Sequence, residues 1–280
     1  AWLANSKTAD RSVKANTLTE NGTVTEGAVE SGAELNGYSG FSTSNYLSRS
    51  SDADWNSFGT GSFYLSCWFK TESGTAAKLM GFTNGGGTIA GNIRYDSSNG
   101  LYFTAAGATA NNYIAYTGTV ADGKWHKVDA LQISSTSREL YVDGVFITSS
   151  TTDTGSVSGT VAFGIGINPI TSPNVPWLGS LSLARLSATV PTATQIRQMY
   201  DAEKGMFVAS AECLLQSGST DAVLDVDVDP LTGKVLVTQT DAITIFDGLV
   251  VDSKPTVNSG SSEKGKLWGA LRSEQNSANA

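Results

Sequence analysis

The sequence predicts an all-β protein: an antiparallel sandwich, one short helix behind it, and a small β-meander at the end. Three observations carry this. From about residue 38 to 190, apolar residues recur in short runs of period two, broken by Gly, Asn, Asp and Ser, as in half-buried antiparallel strands. Two tight-turn signals punctuate those runs. A helical pattern is confined to 191–205.

Along residues 62–70, Phe63, Leu65, Cys67 and Phe69 alternate with Tyr64, Ser66, Trp68 and Lys70. Successive side chains of a strand point to opposite faces, so the first row belongs to a core. The second row lies on the other face and makes Trp68 a candidate for exposure. Ser97-Ser98-Asn99-Gly100 predicts a hairpin pairing Ile93-Arg94-Tyr95 with Leu101-Tyr102-Phe103. Asp143-Gly144, between Leu140-Tyr141-Val142 and Val145-Phe146-Ile147, is a stronger signal, because Asp-Gly supplies the positive φ of a type I′ turn. Residues 191–205 carry a Thr cap, helix formers and a terminal Gly205. Ile196, Met199, Tyr200 and Glu203 share one side, which predicts that this face docks on the sandwich. Strands return at 212–216, 223–228, 234–239 and 242–246. A meander of that size buries too little surface to stand alone. Beyond Asp252, polar residues dominate and predict an extended tail. The expected domains are 1–205, 206–252 and the tail 253–280.

Composition removes several function classes. With one histidine, His126, no multi-His metal site exists; with Cys67 and Cys213 far apart, neither does a thiolate metal site or a dithiol motif. A disulfide between them is open, and Cys67, inside an apolar alternation, reads as a small buried hydrophobe. The net charge of −8 is concentrated in 201–252, which holds ten Asp and Glu against Lys204 and Lys234. No basic stripe exists to neutralise phosphates, so nucleic acid is not expected as a ligand. The longest apolar runs, 242–246 and 248–251, are far short of the roughly 20 residues of a membrane-spanning helix. The chain opens Ala-Trp-Leu-Ala-Asn-Ser without Met or a basic leader, and reads as a fragment or processed chain.

Few residues invite chemistry. His126 has no Ser or Cys nucleophile in a recognisable motif beside it and reads as structural. Asp225, Asp227 and Asp229 on one strand face suggest a glycosidase carboxylate set, but no sugar-lined cleft is implied there. Read as an EF-hand the loop fails, with Pro230 at position six and Leu236 at position twelve, which leaves a solvated strand face. Gly164-Ile165-Gly166 shares only G-x-G with the dinucleotide fingerprint. Trp68, Tyr95, Tyr102, Tyr113 and Tyr116 are the candidate ligand-binding residues, because a sugar's apolar face stacks on aromatic rings; ordinary strand aromatics are the competing reading. The Gly-, Thr- and Asn-rich stretches 83–91 and 105–112 suit polar contacts with a ligand.

These residues together resemble the laminin-G-like, concanavalin A-like jelly-roll domains. Asp10-Arg11-Ser12 followed by Gly22-Thr23 is similar to the family's opening segment. Gly59-Thr60-Gly61-Ser62-Phe63-Tyr64-Leu65-Ser66-Cys67-Trp68-Phe69-Lys70 resembles its "G-T-G-x-F-T-I-S-x-W-V-K" strand. Asp122-Gly123-Lys124-Trp125-His126-Lys127-Val128 resembles "D-G-x-W-H-x-V", and Leu140-Tyr141-Val142-Asp143-Gly144 "L-Y-V-D-G". Trp177-Leu178-Gly179-Ser180-Leu181 resembles the closing strand. The resemblance covers roughly 10–204 and implies an antiparallel concanavalin A-like jelly-roll sandwich. Residues 206–251, ending in Ile245-Phe246-Asp247-Gly248-Leu249, resemble tail-fibre proteins of tailed bacteriophages. What these resemblances imply is a non-enzymatic virion protein, a tail fibre or receptor-binding fragment. It would present a lectin-like face to host-surface carbohydrate, assemble as a homotrimer and contact other tail proteins. The alternative is a secreted bacterial carbohydrate-binding module or adhesin. The resemblance admits a structural calcium ion without mapping its ligands; no other cofactor and no membrane insertion are expected.

Overall fold

The structure is a computed structural model that describes residues 1–52, 54, 61–84, 89–105, 113–152, 161–170, 172–208, 223–229, 231–239, 242–247 and 250–254, with backbone alone at 89, 90 and 250. The chain divides into two compact units, Ala1–Ser210 and Ala211–Ala280. The strand expected at 212–216, the residues 85–88 and 106–112 of the two polar stretches, and the tail from 255 lie outside the described residues.

Fourteen described strands build the first unit: β1 (Thr19–Asn21), β2 (Thr25–Ala28), β3 (Asn36–Ser39), β4 (Tyr46–Arg49), β5 (Phe63–Lys70), β6 (Ala77–Asn84), β7 (Ile89–Asp96), β8 (Gly100–Ala105), β9 (Tyr113–Tyr116), β10 (Trp125–Ser134), β11 (Ser137–Val142), β12 (Val145–Ser150), β13 (Val161–Ile165) and β14 (Ser180–Ser187). They pair antiparallel in two seven-stranded sheets. The first runs β1-β4-β13-β6-β7-β8-β9 and the second β12-β11-β10-β5-β14-β3-β2. The inward rows meet in one core: Phe63 of the second sheet sets its edge against Phe82 and Phe103 of the first, with ring centroids 6.4 and 5.9 Å apart. Cys67 lies in this core as a free thiol, and burial pushes its pKa well above the ordinary value, which leaves it unreactive.

Both expected hairpins form in the expected register. Ile93, Arg94 and Tyr95 face Phe103, Tyr102 and Leu101, and Val142 faces Val145 across Asp143-Gly144. Asp143 and Gly144 have φ of +53° and +72°, the left-handed pair that a type I′ turn requires.

Strand β5 departs from its predicted half-exposure, since both of its faces are buried. Its cover is α1 (Ala193–Glu203), which starts at a capping box: Thr192 Oγ1 accepts from Gln195 N–H at 3.3 Å, and Gln195 Oε1 accepts from Thr192 N–H at 2.8 Å. Ile196 packs with Tyr64, Leu131 and Tyr141 on the outer face of the second sheet. Gly205 does not stop the helix by reversing φ. The chain tightens into a 3₁₀ turn, Lys204–Phe207, that carries Phe207 onto Trp68. Under this cover lies a fully buried polar group in which Lys127 Nζ donates to Asp129 Oδ1 at 2.5 Å and Tyr64 Oη–H donates to the same oxygen at 2.6 Å.

The described part of the second unit is a four-stranded antiparallel meander: β15 (Val223–Val228), β16 (Val235–Gln239), β17 (Ile243–Asp247) and β18 (Val250–Ser253). The fourth strand falls at 250–253, a strand that the alternation did not predict. Asp229 closes the first turn, accepting from Leu231 N–H at 3.0 Å and from the Thr232 hydroxyl at 2.5 Å. Among the described residues no helix is long and apolar enough to cross a membrane.

Candidate functional site

The register across β7, β8 and β9 sorts the four candidate tyrosines into two pairs. Tyr95, Leu101 and Tyr116 stand opposite one another in one row, and this row faces inward: Tyr95 belongs to the core and Tyr116 packs against it. The rows Arg94–Tyr102–Ala115 and Asn92–Thr104–Tyr113 lie on the opposite face, away from the core, where Asn92, Thr104 and Tyr102 are themselves buried, Tyr102 at 7% exposed. The structure therefore brings Tyr102 and Tyr113 together, with centroids 5.0 Å apart and planes at 48°, and turns Tyr95 and Tyr116 away from them.

Trp68, the fifth candidate, needs correction. It is 2% exposed, stacked against Tyr200 and Phe207 at 5.6 and 4.1 Å, and its Nε1–H donates to Glu203 Oε2 at 2.7 Å. It anchors the helix and offers no platform to a ligand. Strand alternation placed it on the outer face correctly, but the helix that covers this face comes from more than a hundred residues downstream.

Around the tyrosine pair the hairpin turn supplies polar groups. Tyr113 Oη–H donates to Asn99 Oδ1 at 2.7 Å, and Asn99 Nδ2 donates to both Asp96 oxygens at 3.0 Å. Asp96 Oδ1 also accepts the backbone N–H of Ser98 and Asn99 at 2.9 and 2.7 Å. Partial burial alone would raise the Asp96 carboxyl, but these donors outweigh it and hold it below the usual range. The Arg94 guanidinium lies 5.8 Å over the Tyr102 ring.

The same outward face continues across β6. Lys78, opposite Arg94, is fully buried; its Nζ donates to Thr83 Oγ1 at 2.8 Å and to Asn168 Oδ1 at 3.1 Å. Burial pushes its amine well below the ordinary lysine range, and the nearby Arg94 charge adds to this. Asn92, opposite Gly81, is 1% exposed and its Oδ1 has no partner; the buried Nε of Arg94 has none either. Gly81 leaves the room that the Asn92 side chain uses, and φ at Gly81 is +150°. Lys78, Asn92 and Arg94 were missed in the sequence. Their signal was present in Ala77-Lys78-Leu79-Met80, a lone charge inside an apolar strand.

Elsewhere the candidate groups serve the frame. His126 bridges two turns, Nδ1 to Asp143 Oδ2 at 2.8 Å and Nε2 to Asp122 Oδ1 at 3.1 Å. Asp225 and Asp227 stand exposed on β15. Among the described residues no three His, Cys, Asp or Glu side chains gather into a metal site. A concavity of about 560 Å³ lies between α1 and the end of β14, lined by Tyr64, Ser187, Gln195, Gln198 and Met199 among others.

Two face-to-face antiparallel sheets with a helix packed on the outside define a lectin-like jelly-roll sandwich. The chain belongs to the concanavalin A-like lectin/glucanases superfamily: a laminin-G family model of that description matches residues 41–197. No curated protein matches the chain. Among solved structures it is similar to the binding domain of Paraclostridial Mosquitocidal Protein 1, at 11% identity and TM-score 0.56 over 90% of this chain and 66% of that one. It is also similar to the receptor-binding domain of botulinum neurotoxin C/D mosaic serotype, at 12% and 0.53 over 91% and 63%. A third is the binding domain of botulinum neurotoxin DC in complex with SialylT, at 11% and 0.50 over 91% and 61%. The chain thus spans less than two thirds of the length of these domains, and at such identities the likeness is one of fold.

Proposed function

We propose that the protein is a non-enzymatic adhesion module that binds host-surface carbohydrate on the outward face of its first sheet, as part of a phage tail fibre or receptor-binding protein of the virion. The observation that carries the carbohydrate reading is the Tyr102–Tyr113 pair set among Arg94, Asp96 and Asn99, aromatic rings ringed by hydrogen-bonding groups. Its support from likeness is that one similar toxin domain is held in complex with SialylT. The fibre setting is supported by the motif resemblance of 206–251 and by β15, where Val223, Leu224, Val226 and Val228 are each more than half exposed. An apolar strand open to that degree favours association with further chains, here a homotrimer that also meets other tail proteins. Light scattering of the purified protein tests the assembly: a mass near three chains is expected, and a mass of one chain overturns the fibre reading in favour of a secreted module. Whole-cell binding tests the face, since Tyr113→Ala is expected to abolish attachment while the fold is retained.

A further inference from the structure

We infer that the carbohydrate taken by the first sheet is acidic, and that its carboxylate or sulfate group sits against Arg94. The inference rests on the carbohydrate reading above and adds the charge of the ligand to it.

Arg94 stands directly opposite Lys78 on the adjacent strand, and its charge adds to burial in disfavouring the charged form of that amine. Neither pairs with a carboxylate among the described residues. The carboxylate close to them, Asp96, is saturated by Ser98 and Asn99 in its own turn. The Arg94 Nε lies buried with no acceptor. Lys78 has only neutral acceptors, the Thr83 hydroxyl and the Asn168 amide oxygen. A buried charged donor left unpaired is among the more costly features a sheet can carry. An anion whose oxygens accept from Arg94 meets its unpartnered donor and its charge together. The unpartnered Oδ1 of Asn92, on the next outward row, is an acceptor and suits a sugar hydroxyl beside that anion. Tyr113 and Tyr102 then supply the apolar wall. A neutral sugar's hydroxyl could accept from Arg94, but only an anion would also balance its charge.

A glycan array carrying neutral, carboxylated and sulfated sugars tests this with the full chain. The expected result is retention of acidic glycans, with the carboxylated and sulfated sets showing which anion is preferred. Methyl-esterifying a carboxylated hit, or desulfating a sulfated one, is expected to weaken binding at least about tenfold, the loss of one charged hydrogen-bonded contact. Arg94→Gln is expected to do the same to the acidic glycan and to leave binding of the neutralised glycan unchanged. Retention of neutral glycans with no preference for their acidic counterparts, or full acidic binding by a folded Arg94→Gln protein, overturns the inference and leaves the carbohydrate reading standing. Retention of no glycan at all overturns both.

Discussion

His126 shows how a residue that looks catalytic is used to fasten the frame. Its ring lies between the Asp122 turn and the Asp143 turn, hydrogen-bonded to both carboxylates, with Phe69 beneath it. Burial by itself lowers the pKa of this imidazole; the hydrogen bonds and charges of Asp143 and Asp122 more than reverse that, and the folded value stands above 6.5. The direction fixes the pH dependence. A raised folded pKa contributes stability that is complete below the unfolded value and is lost as pH rises through the folded one. Neutral imidazole can donate to only one of the two carboxylates, so one contact weakens. Wild-type protein should therefore lose stability, as pH rises through neutrality and above, that His126→Gln does not lose. Urea midpoints of the two proteins across that range check it, and parallel curves would refute it. Trp68 makes the complementary point. Its strand parity was readable, but its burial was not, because exposure of an outer face depends on what packs over it.

The hairpins are where short-range chemistry and final structure coincide. Asp143-Gly144 and Ser97-Ser98-Asn99-Gly100 set their strands in register because each turn's backbone geometry admits little else. Gly144 is doubly constrained: its φ is +72°, and a Cβ there would come within 2.9 Å of the Tyr200 Cβ on α1. Gly144→Ala is expected to cost about 1–3 kcal/mol, from left-handed strain and from pushing the helix off the sheet. Thermal melting measures the loss. Hydrogen exchange should show it as faster opening of 193–207 than of β10, whereas equal acceleration everywhere would mean that the turn alone is strained. The same register decides the tyrosines. Tyr95 and Tyr102 belong to one hairpin, yet they fall on opposite faces because they are not cross-strand partners: Tyr95 faces Leu101 and Tyr102 faces Arg94. That pairing was legible from the turn, and it already implied that a set of four on one surface was too many. Lys78 and Asn92 were not legible as a site, because only the sheet order brings β6 beside β7 with those residues on the outward rows. The turn after α1 was not legible for a related reason: α1 ends before Gly205, as expected, but the chain continues in a 3₁₀ turn that stacks Phe207 on Trp68.

The two units differ in how much each can sustain by itself. The first closes one core between two seven-stranded sheets and covers much of the second sheet's outer face with α1, so its apolar rows find partners within Ala1–Ser210. In the second, β17 is buried from Ile243 to Phe246, while β15 at the sheet edge is exposed along its whole length. One face of β15 carries Val226 and Val228 and the other Asp225 and Asp227, and both are open. A four-stranded sheet with an open apolar edge gains too little from burial to offset the chain entropy of a cooperative fold. The acidity leans the same way, since Ala211–Ala280 holds ten Asp and Glu against five Lys and Arg, and like charges add self-repulsion to a sheet already short of core. A fragment spanning 1–210 is therefore expected to melt cooperatively, near the midpoint of the matching transition of the full chain. A fragment spanning 211–280 is expected to show no cooperative melt as a monomer. Calorimetry of the two fragments decides this. Failure of 1–210 to fold would mean that the sandwich depends on the acidic unit. A cooperative, concentration-independent melt of 211–280 would mean that β15 needs no partner, and would remove the open strand as support for a multichain fibre.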